Sequence, residues 1–326
     1  MNISGTIKIF QCMTIILLMS VKSHAFAEKY LFVSDLDHRY HQKIVALIES
    51  ELNDQGHDID NISHEDFDSS TLDEYSSLIT IGYQAAVTVI QDTTDKPVLS
   101  LLIPKLAFNR ILKKNINKEK RYLFSSIYID QPVKRQISLI NELSSNFRKI
   151  GVLYGKNSYS RKNEITTIVK KAGLGVKNIT VLERTELISE TRHLSENSDI
   201  LLAIPDNTIY NRRSIKGILL TTYRNKIPVI GFSRAYVKAG ALAAVYSSPD
   251  NISKHAIEVL NHNTRHSYIS ASRYHPKYFE VEINTKVARS LNISLQSKDT
   301  LLKQLINLEA DSSSTYSGSK GAASRG

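Results

Sequence analysis

The feature that most restricts what this chain can fold into is a repeated alternation. Short, continuously apolar runs at 30–34, 78–82, 98–103, 150–154, 179–182, 200–204, 229–232 and 242–246 are separated by segments with helical spacing. A strand with one solvated face alternates apolar and polar residues, whereas an unbroken apolar run needs cover on both faces. The cover is legible between the runs. Ile44, Leu47, Ile48 and Leu52 repeat on one helical face, and Gly56 ends the repeat. Val133, Ile137, Ile140 and Leu143 do the same after Gln131-Pro132. Ile215, Ile218, Leu219 and Thr222 follow Asp206-Asn207, and Pro249-Asp250 opens a further helix through Ile252, Ala256, Val259 and Leu260. Strands alternating with helices imply parallel sheets with helices on both faces. The series runs once from Tyr30 to Ile103 and starts afresh at Ile150, after a basic, irregular stretch at 110–122. The chain therefore reads as α/β, with two doubly wound Rossmann-like lobes and not one large sheet.

The beginning of the chain follows other rules. Lys8 precedes an apolar segment at 9–21, and Ala25-Phe26-Ala27 supplies a small–x–small cleavage pattern. The segment is short for a membrane span, which needs about 20 residues. Residues 1–27 are read as a secretory signal cleaved after Ala27, with an uncleaved anchor as the alternative. The one cysteine, Cys12, lies inside that leader. A mature chain without cysteine excludes disulfides, thiol nucleophiles and cysteine-bound metals. The formal net charge is +10, of which Lys8 and Lys22 lie in the leader, leaving 10 − 2 = +8 for the mature chain. The basic residues are spread along the chain and are not interleaved with aromatics, so no nucleic-acid partner is expected. An anionic membrane surface is the better second choice. The end of the chain is rich in serine and glycine, and 309–326 is expected to be disordered.

In open parallel sheets, ligands bind outside the carboxyl ends of the strands. Several strand ends here carry polar groups. The first run ends in Ser34 and leads into Asp35-Leu36-Asp37-His38-Arg39-Tyr40-His41. His38 and His41 at i,i+3 share a helical face suited to a metal, but Asp35 or Asp37 serves equally as a helix cap, and no second histidine pair supports a metal. Gly82-Tyr83-Gln84 joins a strand to a helix, where free backbone N–H groups suit an anion or simply make a tight turn. Asn157-Ser158-Tyr159 follows the first strand of the second lobe, and Asp206-Asn207 follows Pro205. Ser233, Gly240 and Ala241 complete the set around the last two strands of that lobe. There is no GxGxxG, phosphate-binding loop or GxSxG elbow, and no spacing singles out an acid/base pair. No cofactor and no catalysis are expected.

Pro205-Asp206-Asn207-Thr208, then 226–231, then Lys238-Ala239-Gly240-Ala241-Leu242-Ala243-Ala244 resemble, in that order, the periplasmic substrate-binding proteins of ABC transporters. The likeness is strongest to the subfamily that includes aromatic amino-acid binders, and it spans roughly 30–291. It implies the type I periplasmic binding fold: two lobes joined by three crossovers, with a ligand trapped by hinge closure. By that resemblance lobe one is 28–125 plus 247–278, and lobe two is 126–246 plus 279–308. Asp206, Asn207, Asn157, Ser158, Ser233 and Gly240 match cleft positions of lobe two, and Gly82-Tyr83 match a Gly-Thr of lobe one. Tyr83-Gln84 stands where the family often has Thr-Pro, 103–106 lacks its usual Asp-Pro, and Tyr210-Asn211-Arg212-Arg213 is bulky and basic. These departures extend the expected ligand from an amino acid to a larger or acidic molecule.

The resemblance implies binding. Asp206 would accept from an ammonium or hydroxyl, backbone N–H groups near Gly82 and Ser158 would hold a carboxylate, and Tyr83 or Tyr159 would stack on the ligand. The expected protein is a periplasmic monomer that captures a small polar, amino-acid-like solute and delivers it to an ABC transporter permease. A sensor or adaptor of the same fold, signalling to another inner-membrane receptor, is the alternative, and an exported enzyme is the weaker third.

Overall fold

The structure is a computed structural model and describes residues 27–92, 95–264 and 272–321. The leader up to residue 26, including Cys12, lies outside the described residues. The first strands are β1 (Lys29–Ser34), β2 (Asp58–Ser63), β3 (Ser77–Ile81), β4 (Val98–Ile103) and β5 (Phe124–Tyr128). They are followed by β6 (Lys149–Tyr154), β7 (Gly175–Thr180), β8 (Ile200–Leu202), β9 (Val229–Gly231) and β10 (Ala243–Tyr246). The last are β11 (Arg273–Tyr274) and β12 (Glu280–Ile283). They form two six-stranded sheets, ordered β11-β5-β4-β3-β1-β2 and β12-β10-β9-β8-β6-β7. All pairings are parallel except that of β12 with β10, which is antiparallel.

The helices are α1 (Arg39–Asp54), α2 (Tyr83–Gln91), α3 (Lys105–Asn115), α4 (Val133–Leu143), α5 (Lys162–Lys171) and α6 (Leu187–Ser195). Then come α7 (Ile215–Arg224), α8 (Arg234–Ala239), α9 (Pro249–Thr264), α10 (Thr285–Ser290) and α11 (Lys298–Gly321). None of the described helices is long and apolar enough to cross a membrane. Both faces of each sheet are covered, which is why the central strands are apolar throughout. In β1, Leu31 and Val33 enter one core while Tyr30 and Phe32 enter the other. In β6, Ile150, Val152 and Tyr154 face the opposite core from Leu153. Each fully buried Leu, Ile or Val contributes about 1.5–3 kcal/mol.

Four strands, β2, β5, β11 and β12, lie outside the apolar runs, and a fifth, β7, overlaps its run only in part. β2 and β7 are edge strands with mostly half-exposed residues, so their sequences DIDNIS and GVKNIT carry little apolar signal. β7 also shifts the strand read at 179–182 back to begin at Gly175. β5 is fully buried but holds Ser125 and Ser126, and the Ser126 hydroxyl donates to the Ser100 carbonyl at 3.0 Å. β11 and β12 are short and edge-placed.

The chain crosses between the sheets three times: after β5, after β10 and between β11 and β12. β5 continues to Tyr128 in the first sheet, so the lobe boundary read at 125 falls inside a strand. One hydrogen-bonded network ties the crossings together. Arg135 of α4, 5 % exposed, donates to Gln131 Oε1 at 2.6 Å in the first crossing and to the Pro276 carbonyl at 3.0 Å in the third. Gln131 in turn donates to Ser247 Oγ at 2.8 Å in the second. Arg135 also makes a two-pronged pair with Glu309 of α11, at 2.5 and 2.7 Å, and its guanidinium stacks 3.9 Å from the Phe279 ring centre. The tail expected to be disordered from 309 is therefore helical through Gly321, and α11 packs on α4 and β12. Residues 322–326 lie outside the described residues.

Candidate functional site

A cleft of about 660 Å³ lies between the lobes. On the first lobe it is lined by Tyr83 at the start of α2 and by the amino-terminal turns of α3, including Lys105 and Arg110. Asp130 of the first crossing forms part of its wall. The second lobe contributes Asn157, Arg161, Asp206, Asn207, Tyr210 and Phe232. The lining comes from the carboxyl ends of β3, β4, β6, β8 and β9, as the geometry of parallel sheets requires.

Asp206 is 4 % exposed, and both carboxylate oxygens are engaged within its own lobe. Oδ2 accepts from Ser158 Oγ at 2.6 Å and from the Gly155 N–H at 3.1 Å. Oδ1 accepts from the Thr208 N–H at 2.9 Å and Thr208 Oγ1 at 2.6 Å. A carboxylate has about four lone-pair sites, so this one is filled. Its work is to join the loop after β8 to the loop after β6. Gly155 must be glycine there, because an added Cβ would run into Thr208 Oγ1 and lie 2.9 Å from Asp206 Oδ2. Above this junction, Asn157 Nδ2 donates to Asn207 Oδ1 at 2.7 Å; both residues line the cleft, Asn207 exposed and Asn157 half-buried.

Arg161 closes a 3-10 turn (Tyr159–Arg161) before α5 and is 9 % exposed. Its Nε donates to Glu164 at 3.2 Å. The two terminal nitrogens of the guanidinium have no protein partner among the described residues. A guanidinium is permanently charged and carries five donors in a planar fork that matches a carboxylate. Asp130 faces the same space. Burial pushes its carboxyl above the usual range, against the pull of the Lys105 N–H, Arg161, His275 and Lys105. The Lys105 N–H donates to Asp130 Oδ2 at 2.5 Å, and His275 Nδ1 lies 2.9 Å from the Asp130 carbonyl oxygen. The Tyr210 hydroxyl is buried with no hydrogen-bond partner among the described residues, and its ring meets Phe232 edge-on at 6.1 Å.

Of the residues singled out from sequence, Tyr83, Asn157, Asp206 and Asn207 line the cleft. Ser158 is fully buried behind it, on Asp206. Ser34 is buried at the end of β1, 3.4 Å from Asn61 Oδ1. Gly82 is the cap of α2 at φ 96°, a left-handed position with His41 ring atoms where a Cβ would stand. Gln84, Tyr159 and Ser233 do not line the cleft; Gln84 and Tyr159 are exposed and Ser233 half-buried. Gly240 caps α8, and Ala241 is fully buried in the core, both before β10 and not at its carboxyl end. His38 opens α1 without a side-chain cap, because Asp35 Oδ1 is taken by the Asp37 N–H. The acidic cap read there is absent, and no metal-binding group of three His, Cys, Asp or Glu exists among the described residues. Lys105, Arg110, Asp130, Arg161, Tyr210 and Phe232 were not selected as site residues. Their signal was weak: a lone arginine beyond a polar loop, and an aspartate in a connecting segment.

The family model for ABC transporter substrate binding proteins matches residues 68–304, well over half of the chain. No curated protein matches it. Among solved structures, the ligand-free, open form of a substrate binding protein with adhesive properties from Clostridium difficile is similar at TM-score 0.64 and 18% identity, covering 83% of this chain and 97% of that one. An ABC domain in complex with L-Trp from Streptococcus pneumonia gives 0.58 and 20%, covering 85% and 98%. A conserved domain protein from Vibrio cholerae gives 0.58 and 18%, with the same coverage. These likenesses carry the fold, two α/β lobes of the type I periplasmic binding architecture. With the family match over 68–304, they establish that this chain belongs to the ABC transporter substrate binding proteins, a family of binders and not of enzymes.

Proposed function

We propose that this protein is exported to the periplasm, captures a small carboxylate-bearing, amino-acid-like solute between its lobes, and delivers it to the permease of an ABC importer. The observation that carries the reading is Arg161: a nearly buried guanidinium on the cleft whose forked end no protein group uses. Glu164 engages only the Nε, and a ligand carboxylate would satisfy the terminal nitrogens with two parallel hydrogen bonds. Tyr83 offers an exposed ring for an apolar side chain. The related ABC domain in complex with L-Trp supports a solute of this size and type. The leader at 1–27 supports export.

The test is a melting-temperature screen of the chain from Glu28 onward, refolded to remove bound solute, against amino acids, small carboxylic acids, sugars and purines. A ligand that binds only the native state raises the melting temperature by mass action. The expected result is a rise with at least one carboxylate that Arg161→Ala abolishes and Arg161→Lys reduces. A rise with sugars or purines alone, or one that survives Arg161→Ala, refutes the reading.

A further inference from the structure

The cleft holds more positive charge than one carboxylate consumes. Lys105 and Arg110 on α3 and Arg161 on the facing lobe all line it. Among the described residues neither Lys105 nor Arg110 makes an ion pair, and the acid near Lys105 is Asp130, which feels its charge. Of the two carboxylates on the cleft, Asp206 is saturated by its four donors. Asp130 gives one oxygen to the Lys105 N–H. Asp130 also feels Arg161 and Lys105, but burial favours its neutral form, so three cations face at most two carboxylates on this cleft and positive charge is in excess.

Two further features point the same way. α3 has eleven residues, and its N-cap, Pro104, has no capping side chain; Asp130 takes the Lys105 N–H, while the rest of the first turn, Leu106 and Ala107, forms cleft wall at the positive end of the helix. Across the cleft Tyr210, only 5 % exposed, lines the wall, and its buried hydroxyl has no hydrogen-bond partner among the described residues. The two cationic groups sit on opposite lobes, so closure brings both onto one molecule.

We propose that the solute carries two carboxylates, one held by Arg161 and the second by Lys105, Arg110 and the amino end of α3. This makes it an acidic amino acid or a free dicarboxylic acid. The inference rests on the reading of the cleft as the solute site. An acid replaced by its amide leaves the α3 cations to be desolvated on closure without a counter-charge, and charged partners at such interfaces set affinity by large factors.

The experiment is titration calorimetry with L-aspartate, L-glutamate, succinate and glutarate, beside L-asparagine, L-glutamine and L-tryptophan. The protein is the chain from Glu28 onward, as wild type, Lys105→Ala, Arg110→Ala and Arg161→Ala. The expected result is that a dicarboxylate binds and its amide or monocarboxylate counterpart binds about tenfold more weakly or worse. Arg110→Ala and Lys105→Ala then shrink that preference, while Arg161→Ala removes binding. Binding of the amino acids alone identifies an ammonium contact, and binding of succinate or glutarate identifies a free diacid. A neutral amino acid that binds as well as the acids overturns the second carboxylate and leaves the solute reading standing. A preference unmoved in Lys105→Ala and Arg110→Ala overturns it as well. No binding by any carboxylate overturns both.

Discussion

At Asp206 a single side chain fixes the shape of the second lobe's half of the cleft. Its partners Ser158 and Gly155 lie 48 and 51 residues away in the chain. Asp206→Ala leaves a buried hydroxyl and a buried N–H without an acceptor, a loss of about 2–4 kcal/mol. The melting temperature of the unliganded protein should fall by roughly 5–10 °C. An unchanged melting temperature would show instead that the carboxylate is held for the ligand. The contrast with Arg161 shows what one sequence makes legible. The strand, the proline and the Asp-Asn pair point to a loop at a strand's carboxyl end, and the structure has that loop lining the pocket. What the carboxylate bonds to is decided by a loop some 50 residues earlier, which spacing along the chain does not encode. Arg161 was invisible for the same reason: a basic residue before a helix is ordinary, and only folding buries it.

Among the elements, those that bury two apolar faces announce themselves and those that bury polar or few residues do not. β1, β3, β4 and β6 stand where their apolar runs predict. β5 hides because its serines satisfy each other's strands, and β2 because it is an edge. α11 hides for another reason. Its second half is poor in apolar residues, and its anchoring depends on Glu309 meeting Arg135, a pair 174 positions apart. Arg135 is buried, while Glu309 keeps 39% of its side chain in water. Removing the acid leaves a buried guanidinium with only neutral acceptors and should cost about 1–3 kcal/mol. Glu309→Ala and a chain ending at Leu308 should therefore both melt several degrees lower, and Glu309→Gln should fall in between. If truncation at Leu308 leaves the melting curve unchanged, the end of the chain is the dispensable tail that its composition suggests. Because Arg135 also bonds Gln131 and Pro276, the loss should be felt at the crossings and not only in α11.

For the whole molecule, the crossings are where the two lobes share their polar groups, and three histidines, His255 buried and His41 and His275 half-buried, set the response to acid. Burial lowers His41 and His255 to about 4, and it lowers His275 as well. His41 also feels His38 and His64 against Asp35, and His255 feels Glu258 against Lys277. In the unfolded chain these rings take a proton near the ordinary value of about 6.5. Between about 6.5 and 4 the unfolded state therefore binds more protons than the folded one, and stability must rise with pH across that window. Asp130 acts in the opposite sense, since its raised value favours the protonated form that the fold buries. One such group opposes three histidines. Asp60, Asp68, Asp250 and Glu258, all lowered, add their stabilisation above the ordinary carboxylate range and lose it only on further acidification. The melting temperature should be level above pH 7 and decline steadily from about pH 6.5 to 4. His41→Gln with His255→Gln should flatten that decline, and Asp130→Asn should steepen it. A wild-type melting temperature that holds constant from pH 7 to 4.5 would mean that these rings are open to water in solution. The packing of His41 against Gly82 and of His255 and His275 at the crossings would then be looser than the structure shows.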